Sequence, residues 1–245
     1  MFSILSTYAL ILKVKNKWAL GLTLPFQIFA MCLSFSRSAL FGWALGTGLF
    51  FLSLAYRGIK KKRLIWLGKI VLLSFSLSAV LLFNQYFHRG GIISTSSLSS
   101  HSDKIRIIHQ KSALEITKEY PLTGLGFSQF SERSQKFLRH TNDAYIQSTA
   151  PHNIFLFLAC ETGLISLGAF LLFFAFLAYR TLKARLNVEI GIFFSLLVAF
   201  LFIGVCDFYP ILFQQGKLML FSTAALLSLH TKPLPNEKFA TYLSM

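Results

Sequence analysis

Long apolar runs separated by short basic clusters constrain this chain more than any other feature of its sequence. The runs occupy residues 18–35, 39–56, 64–87, 153–179, 188–209 and 217–230. A helix needs ~20 apolar residues, each rising ~1.5 Å, to cross the ~30 Å hydrocarbon core of a bilayer. Together with the apolar N-terminus, the runs predict an all-α polytopic membrane protein of about six to seven transmembrane helices.

The amino-acid composition excludes an ordinary soluble domain. Hydrophobic residues make up 54% of the chain and charged residues 13%, whereas charged residues make up about 25% of a typical soluble domain. In a soluble protein the net charge of +15 would suggest nucleic acid as a partner. Here many cations stand beside apolar runs, as they do in cytoplasmic loops. This pattern favours membrane lipids, and not nucleic acid, as partners.

The basic clusters predict the orientation of the chain in the membrane. Cytoplasmic loops carry an excess of Lys and Arg, and three clusters occur at residues 13–17, 57–63 and 180–185. If all three are cytoplasmic, the outer side receives Arg37, residues 88–151 and residues 209–216. Because three independent clusters agree, we expect this single orientation.

The same landmarks divide the chain into four parts. We predict N-terminal transmembrane helices in residues 1–87, an outer loop in 88–151, C-terminal transmembrane helices in 152–230 and a cytoplasmic tail in 231–245. Residues 1–12 are apolar but short for a crossing helix, and they lack a basic n-region and a cleavage site. We therefore expect a truncated first helix, in the C-terminal part of a longer protein.

The outer loop is predicted to contain one amphipathic helix. Residues 90–102 have the Gly, Ser and Thr content of a flexible linker. Residues 103–120 have helix-forming composition, with Ser102 or Asp103 as the N-cap and Pro121 as a stop. Apolar residues share one face, and polar residues occupy the others: Ile105, Ile108, Ile116 and Tyr120 against Lys104, Arg106, His109, Lys111 and Lys118. We expect the apolar face to lie along the bilayer surface.

Three polar side chains near the membrane surface have both a structural and a functional interpretation. His152 precedes residues 153–179, where its imidazole can exchange protons near neutral pH or serve only as an interfacial anchor. Arg37 stands in a tight outer turn, where it snorkels to the interface or pairs with a phosphate. Arg106 on the outer helix is either a solvated charge or a binding residue, which would suit an anionic ligand and anionic head groups equally well.

Charged residues elsewhere allow narrower expectations. Glu161 lies ~13 Å along the helix from His152, and a carboxylate at that depth usually has a partner or a task. Glu161-Thr162-Gly163 is also typical of a helix-packing site, in which Gly163 and Gly168 admit a neighbour. Asp207 and Lys217 flank the last outer loop and are expected to form an interfacial pair.

Motifs of several other chemistries do not occur in the sequence. There is no GxxxxGK[ST] loop, no HExxH, no pair of acidic metal ligands and no GxSxG. Cys32, Cys160 and Cys206 fall inside apolar runs without CxxC spacing, which is typical of packing residues. We predict no metal and no cofactor.

Three motifs carry a resemblance to a known family. They are Ser36-Arg37-Ser38-Ala39-Leu40, then Arg106 followed by Pro121-Leu122-Thr123-Gly124-Leu125-Gly126, and Pro151-His152-Asn153 followed by Glu161-Thr162-Gly163. In order, spacing and predicted side of the membrane, they resemble the C-terminal half of bacterial O-antigen ligases. The resemblance covers roughly residues 18–209, and it extends to O-antigen polymerases and O-linked protein oligosaccharyltransferases.

This resemblance implies a GT-C-like glycosyltransferase in the bacterial inner membrane, with its active face in the periplasm. Such enzymes move a glycan from undecaprenyl diphosphate to an acceptor hydroxyl, which belongs to lipid A-core sugar in the ligases. The transfer inverts the anomeric carbon and is metal-independent. On this chain, Arg37 and Arg106 would hold the diphosphate, and His152 would orient or deprotonate the acceptor hydroxyl. The supporting residues would be Asn153, Glu161, Gly124 and Gly126.

Other interpretations stay open on the sequence. An O-antigen polymerase or an O-linked protein oligosaccharyltransferase would use the same chemistry on a different acceptor. A transporter would place charges at mid-membrane on several helices, whereas most charges here cluster at helix ends. Because members of the family have further N-terminal helices, an inactive truncated fragment is a further alternative.

Overall fold

The structure is a bundle of helices. The computed structural model describes residues 2–13, 17–58, 61–88, 97–133, 150–185 and 187–231. These residues form ten helices and no strand: α1 (Phe2–Lys13), α2 (Lys17–Leu33), α3 (Arg37–Tyr56), α4 (Lys61–His88), α5 (Ser97–Glu119), α6 (Phe130–Arg133), α7 (Ile154–Lys183), α8 (Val188–Cys206), α9 (Tyr209–Leu212) and α10 (Gln214–His230).

Four of these helices are long and apolar enough to cross a membrane. They are α3, the Leu64–Phe83 part of α4, α7 and α8. Helix α2 has a shorter apolar stretch at Leu20–Leu33, and α1 and α10 have 12 and 17 residues. The all-α polytopic class is therefore confirmed, and the number of six to seven crossings stays a prediction.

Helix α8 lies at the centre of the bundle. It is the most buried of the four long apolar helices, because its side chains enter two apolar cores. The first core joins Ile192 and Leu196 to helices α1 to α4, and the second joins Leu197 and Phe200 to α7 and α10. Within a bilayer such packing is stabilised by van der Waals contact. The hydrophobic effect does not drive it, since lipid tails are as apolar as the side chains.

Helices α3 and α8 pack antiparallel along their length. Gly42 and Gly46 of α3 lie directly against α8, Gly42 at Ile203, and at the other end Gly191 of α8 lies against Ser53. Small residues four apart let two helix backbones approach closely. The first turn of α3 therefore lies at the same end of the bundle as the last turn of α8.

The opposite end of the bundle collects basic side chains. Arg180 in the last turn of α7 donates a hydrogen bond to the hydroxyl of Ser228 on α10 at 3.2 Å. Arg57 follows the last turn of α3, at the end where α8 begins. The described parts of the basic clusters at residues 57–63 and 180–185 thus share one end, as the predicted orientation requires.

Helix α5 begins earlier than the sequence indicated. It runs from Ser97, so Ser102 and Asp103 are not its N-cap and residues 97–102 are helix, not linker. Residues 90–96, the remainder of the predicted linker, lie outside the described residues. The helix ends at Glu119, in agreement with the predicted stop at the following proline.

The apolar face of α5 is covered by protein. Ala113 and Ile116 pack with Cys160 of α7 and with Phe130. Tyr120, which was expected on this face, is exposed. The part of the face with Ala113 and Ile116 therefore packs on α7 and on the segment that follows α5, and not on lipid as expected. This packing brings α5 to the start of α7.

Candidate active site at one end of the bundle

Asn153 fixes the start of α7. Its side-chain oxygen accepts hydrogen bonds from the N–H groups of Phe155 and Leu156, at 2.9 and 3.1 Å, which makes it the N-cap. Its side-chain nitrogen donates to the carbonyl oxygen of Val205 at 3.0 Å. A cap satisfies N–H groups that have no partner inside the helix, and this one also ties α7 to the last turn of α8. His152, the preceding residue, is therefore placed between the two helices.

His152 lies beside one acidic and two aromatic side chains. Its Nδ1 is 3.6 Å from Oδ1 of Asp207, and its ring centroid is 4.7 Å from that of Phe208 and 6.5 Å from that of His109. The 3.6 Å separation is too long for a hydrogen bond, and Nδ1 has no hydrogen-bond partner in the described part of the chain. The pair therefore interacts through charge when His152 is protonated. With 20% of its side chain exposed, His152 remains accessible to a ligand.

Asp207 caps the C-terminal end of α8. Its backbone N–H donates to the carbonyl of Ile203 at 2.8 Å, and its carboxylate accepts from the N–H of Phe208 at 2.8 Å. Burial acts to raise the pKa of this carboxyl, but His152, the Phe208 N–H and the charge of Arg106 outweigh it and lower the pKa below its ordinary value. Asp207 is therefore an anion at neutral pH.

Helix α5 contributes Arg106 and His109 to this cluster. The charge of Arg106 acts on the pKa of Asp207, which places the guanidinium within electrostatic range of the carboxylate. Its Nε is buried and finds no hydrogen-bond partner among the described residues. One turn further, the fully buried His109 lies nearly parallel to His152, at 13°, and edge-on to Phe130. The cluster thus holds one cation, one anion and two imidazoles.

The segment 120–130 attaches α5 to α7 through backbone hydrogen bonds. The N–H groups of Leu125 and Gly126 donate to carbonyl oxygens of α7, both at 2.9 Å. In the reverse direction, the N–H of Leu164 in α7 donates to the carbonyl of Pro121 at 2.8 Å. The helix α7 is kinked at Gly163, whose backbone is not helical. Since backbone groups form these bonds, the position of the segment is defined on both sides of this kink.

Glu161 completes this attachment with its side chain. The carboxylate is 1% exposed, and it accepts hydrogen bonds from the N–H groups of Ser128, at 2.7 Å, and Phe130, at 3.1 Å. A buried carboxylate is costly unless such charge-assisted bonds compensate it. The expected partner of Glu161 is therefore the backbone of the segment that follows α5.

Gly124 and Gly163 make the close contact between the two motifs possible. Their φ angles are 65° and 83°, in the left-handed region that favours glycine. The backbone of Glu161 occupies the space of a side chain at Gly124, and the backbone of Leu122 occupies that space at Gly163. Gly126, at φ 106°, lies in the same turn. The glycine-containing motifs thus interlock, which their separation in sequence does not reveal.

Arg37 opens α3 at the same end of the bundle. Ser36 caps this helix by accepting a hydrogen bond from the N–H of Ala39 at 3.2 Å, and its hydroxyl lies 3.1 Å from that of Ser38. Because α3 packs antiparallel on α8, its first turn lies at the end of α8 that carries Asp207. The geometry therefore gathers both predicted arginines and His152 at one end of the molecule.

Comparison with known proteins decides the family. The family model described as O-antigen ligase (Wzy_C) matches residues 20–171, which is more than half of the chain. The chain belongs to the O-antigen ligase family. The matched region extends from α2 into α7 and includes Arg37, Arg106 and His152, whereas Asp207 follows it. No curated protein matches the chain significantly.

In this member of the O-antigen ligase family, the predicted central residues lie at one end of the bundle. His152 and Arg106 meet in the cluster around Asp207 and His109, and Arg37 opens the neighbouring helix α3. Within the described residues, no group of three His, Cys, Asp or Glu side chains is placed to hold a metal ion. The predicted supporting residues hold the backbones of α5, α7 and α8 together, and they are Asn153, Glu161, Gly124 and Gly126. The catalytic and binding roles stay predictions.

Two members of the cluster were misassigned from the sequence. Asp207 was expected to pair with Lys217, but it faces His152, and no ion pair joins it to Lys217, although both side chains are described. His109 was expected on a polar face of α5, yet it is fully buried. Its spacing of four residues from Ile105 is the helical signal that would have placed it on the buried face.

The two glycines proposed to admit a neighbouring helix differ. Gly163 admits the backbone of Leu122, as that prediction requires. At Gly168, no described atom lies within 4 Å of the space a side chain would take. A neighbour therefore approaches closely at Gly163, although it is the segment 120–130 and not a helix, and none of the described residues does so at Gly168.

Proposed function

We propose that this protein transfers a glycan from undecaprenyl diphosphate to a hydroxyl of lipid A-core sugar, at the periplasmic face of the bacterial inner membrane. The observation that carries the proposal is the cluster in which His152 meets Asp207 and Arg106. Membership of the O-antigen ligase family supports the general class of substrates, a lipid-linked glycan and its acceptor. The cluster supports the chemistry described below.

Arg37 and Arg106 bind the diphosphate of the donor. A guanidinium binds phosphate oxygens through N–H donors in a planar fork. Arg106 has a buried Nε without a partner among the described residues, and Arg37 begins α3 at the same end of the bundle. During transfer, the bond between the anomeric carbon and the diphosphate oxygen breaks. Fixed positive charge stabilises the negative charge that develops on the departing diphosphate.

His152 acts on the acceptor. Its Nδ1 faces Asp207, which leaves Nε2 to accept the proton of the acceptor hydroxyl. The hydroxyl oxygen attacks the anomeric carbon from the side opposite the diphosphate, so one C–O bond forms as the other breaks and the configuration inverts. The proton ends on His152, where the carboxylate of Asp207 stabilises the imidazolium. Undecaprenyl diphosphate leaves.

Reconstitution in nanodiscs tests this proposal. The assay contains an undecaprenyl diphosphate-linked glycan and lipid A-core from ligase-deficient cells, and it measures glycosylated lipid A-core. We expect His152→Ala, Arg37→Ala and Arg106→Ala each to lower kcat/KM about 100-fold or more, because each removes a proton acceptor or a charge used in the transition state.

Two substitutions at the opposite end of the bundle are matched controls. Arg57 follows the other end of α3 from Arg37, and His230 stacks on Phe193 at the end of α10. Arg57→Ala and His230→Ala should retain wild-type turnover. Full glycan transfer by His152→Ala would remove this residue from the mechanism. Growth of the lipid-linked glycan itself, without transfer to lipid A-core, would identify a polymerase instead of a ligase.

A further inference from the structure

Three aromatic side chains extend from His152 along the segment between α8 and α10. Phe208 packs on His152 with ring centroids 4.7 Å apart. Phe213 follows at 6.1 Å from Phe208, and Tyr209 lies 5.6 Å from Phe213. The planes of the two latter pairs are tilted by 36° and 40°. We name Phe208, Tyr209 and Phe213 the aromatic platform.

The outer part of the aromatic platform is open. Phe213 is 48% exposed and Tyr209 is 37% exposed, whereas Phe208 is only partly accessible next to the imidazole. Phe208 therefore links these exposed rings to the imidazole of His152, the proposed proton acceptor.

The backbone holds this segment in a fixed shape. The carbonyl of Phe208 accepts hydrogen bonds from the N–H groups of Ile211, at 3.1 Å, and Leu212, at 3.0 Å. The space for a side chain at Gly216 is filled by the carbonyl of Tyr209, so α9 and α10 lie in direct contact. A ligand that binds here does not need to order the chain first, which lowers the entropic cost of binding.

Sugar rings have the chemistry that such a surface recognises. One face of a pyranose exposes C–H groups, which pack on an aromatic face, and its rim carries hydroxyl groups that need polar partners. Binding sites for small ligands combine aromatic walls with a few placed polar groups in the same way. Beside the aromatic platform, the imidazole of His152 is such a group.

We propose that the aromatic platform is the acceptor subsite, which holds the terminal sugar ring of the acceptor with one hydroxyl at His152. This inference rests on the proposed transferase function and names the residues that recognise the acceptor. The donor's diphosphate belongs with the arginines, Arg37 and Arg106, whereas the aromatic platform begins on the imidazole that takes the acceptor's proton. The acceptor ring is therefore its occupant.

A membrane-interface belt is the other use of exposed aromatic residues. Such belts are rich in Trp and Tyr, whose polar groups reach the head groups. Two of the three platform residues, Phe208 and Phe213, are phenylalanines without a polar group. The two uses differ in what a substitution changes, because a belt residue affects insertion and a subsite residue affects the acceptor's KM.

Substitution of Phe213 tests the subsite. Phe213→Leu should raise the KM for lipid A-core about three- to tenfold, the range of a lost aromatic contact, with kcat and the donor's KM unchanged. Phe213→Trp should restore the wild-type KM. Phe221→Leu is the matched control, since Phe221 lies in α10, which begins directly after Phe213, and is 47% exposed. An unchanged acceptor KM for Phe213→Leu, or an equal effect of both Leu variants, would overturn the subsite.

A binding measurement without donor separates this inference from the proposed function. In the Phe213→Trp protein, tryptophan emission should shift on addition of lipid A-core in the absence of undecaprenyl diphosphate glycan, and the Phe221→Trp protein should show no shift. A shift in a protein that transfers nothing would leave the subsite standing and refute the transferase. Normal transfer with no shift for Phe213→Trp would refute the subsite alone.

Discussion

The carboxylate of Asp207 determines which nitrogen of His152 is available for chemistry. Nδ1 lies 3.6 Å from Oδ1 of this carboxylate, and the same oxygen accepts a hydrogen bond from the N–H of Phe208 at 2.8 Å. A carboxylate beside one imidazole nitrogen favours the proton there and leaves the other nitrogen as an acceptor. Asp207 therefore acts as a positioning residue for His152 in the proposed reaction.

Asp207→Asn should lower kcat about 100-fold while leaving the acceptor's KM near its wild-type value. The amide retains the size of the side chain but cannot stabilise an imidazolium by charge. Steady-state kinetics in nanodiscs check this expectation, with Glu132→Gln, at an exposed position of α6, as a control that should behave like wild type. Wild-type kcat in the Asp207→Asn protein would exclude any role of this carboxylate in catalysis.

The wild-type and Asp207→Asn proteins should differ in stability, and the difference should depend on pH. The folded-state pKa of Asp207 is lowered, so the ionised carboxylate stabilises the fold above its ordinary pKa of about 3.9. This contribution is lost as the pH falls through the lowered folded-state pKa. The unfolding midpoint of wild type should exceed that of Asp207→Asn near pH 6, and the difference should shrink below about pH 4.

Individual site residues could be predicted from the sequence where a motif contained them or where they stood at the end of an apolar run. Arg37 and His152 stand at the ends of apolar runs, so their placement at helix ends followed from hydropathy alone. The contact between Asp207 and His152 joins residues far apart in sequence across two helices, and no local pattern encodes it. His109 lies four residues after Ile105, a spacing that indicates the same helix face. It was nevertheless predicted to be exposed, because its side chain is polar.

Helix α5, the segment 120–130 and the first turns of α7 form one interlocked element. Two positive-φ glycines place backbone against backbone, and Glu161 bonds two N–H groups of the segment. Because α5 carries Arg106 and α7 follows His152, this element sets the distance between the proposed diphosphate-binding and proton-accepting groups. Loss of the interlock should therefore affect activity without removing any catalytic group.

Gly163→Ala and Gly168→Ala should have opposite effects although both lie in α7. At Gly163 an alanine meets the backbone of Leu122 and must adopt φ 83°, which costs about 2–3 kcal/mol or more. At Gly168 no described atom lies within 4 Å, and replacement of a helical glycine by alanine gains up to about 1 kcal/mol. Thermal unfolding in detergent and kcat measure the difference. Equal midpoints for the two variants would show that the interlock does not constrain α7.

The long helices were predictable as elements, whereas their irregular connections were not. Hydropathy placed an apolar run at residues 39–56, and the corresponding helix spans Arg37–Tyr56. The four-residue helices α6 and α9 have no periodicity to detect. The start of α5 was missed because serine-rich sequence is typical of linkers, although the packing of the helix on α7 stabilises it.

The whole bundle has two chemically different ends. One carries the cluster around His152 with the first turn of α3, and the other carries Arg57, Arg180 and the start of α8. The positive-inside rule assigns the basic end to the cytoplasm. The proposed function then requires the cluster to face the periplasm, where lipid-linked glycan and lipid A-core meet.

Cysteine labelling of intact cells tests this orientation. In a Cys206→Ser background, which removes the partly accessible thiol, Glu115→Cys places a thiol on the exposed side of α5 and Arg185→Cys places one after α7, at the basic end. A membrane-impermeant maleimide added after permeabilisation of the outer membrane should label Glu115→Cys, because exposed thiolates react readily. Arg185→Cys should react only after cell lysis. The reverse pattern would put the cluster in the cytoplasm, where a donor facing the periplasm cannot reach it. That result would refute the proposed transfer at the periplasmic face, even if the purified protein is active.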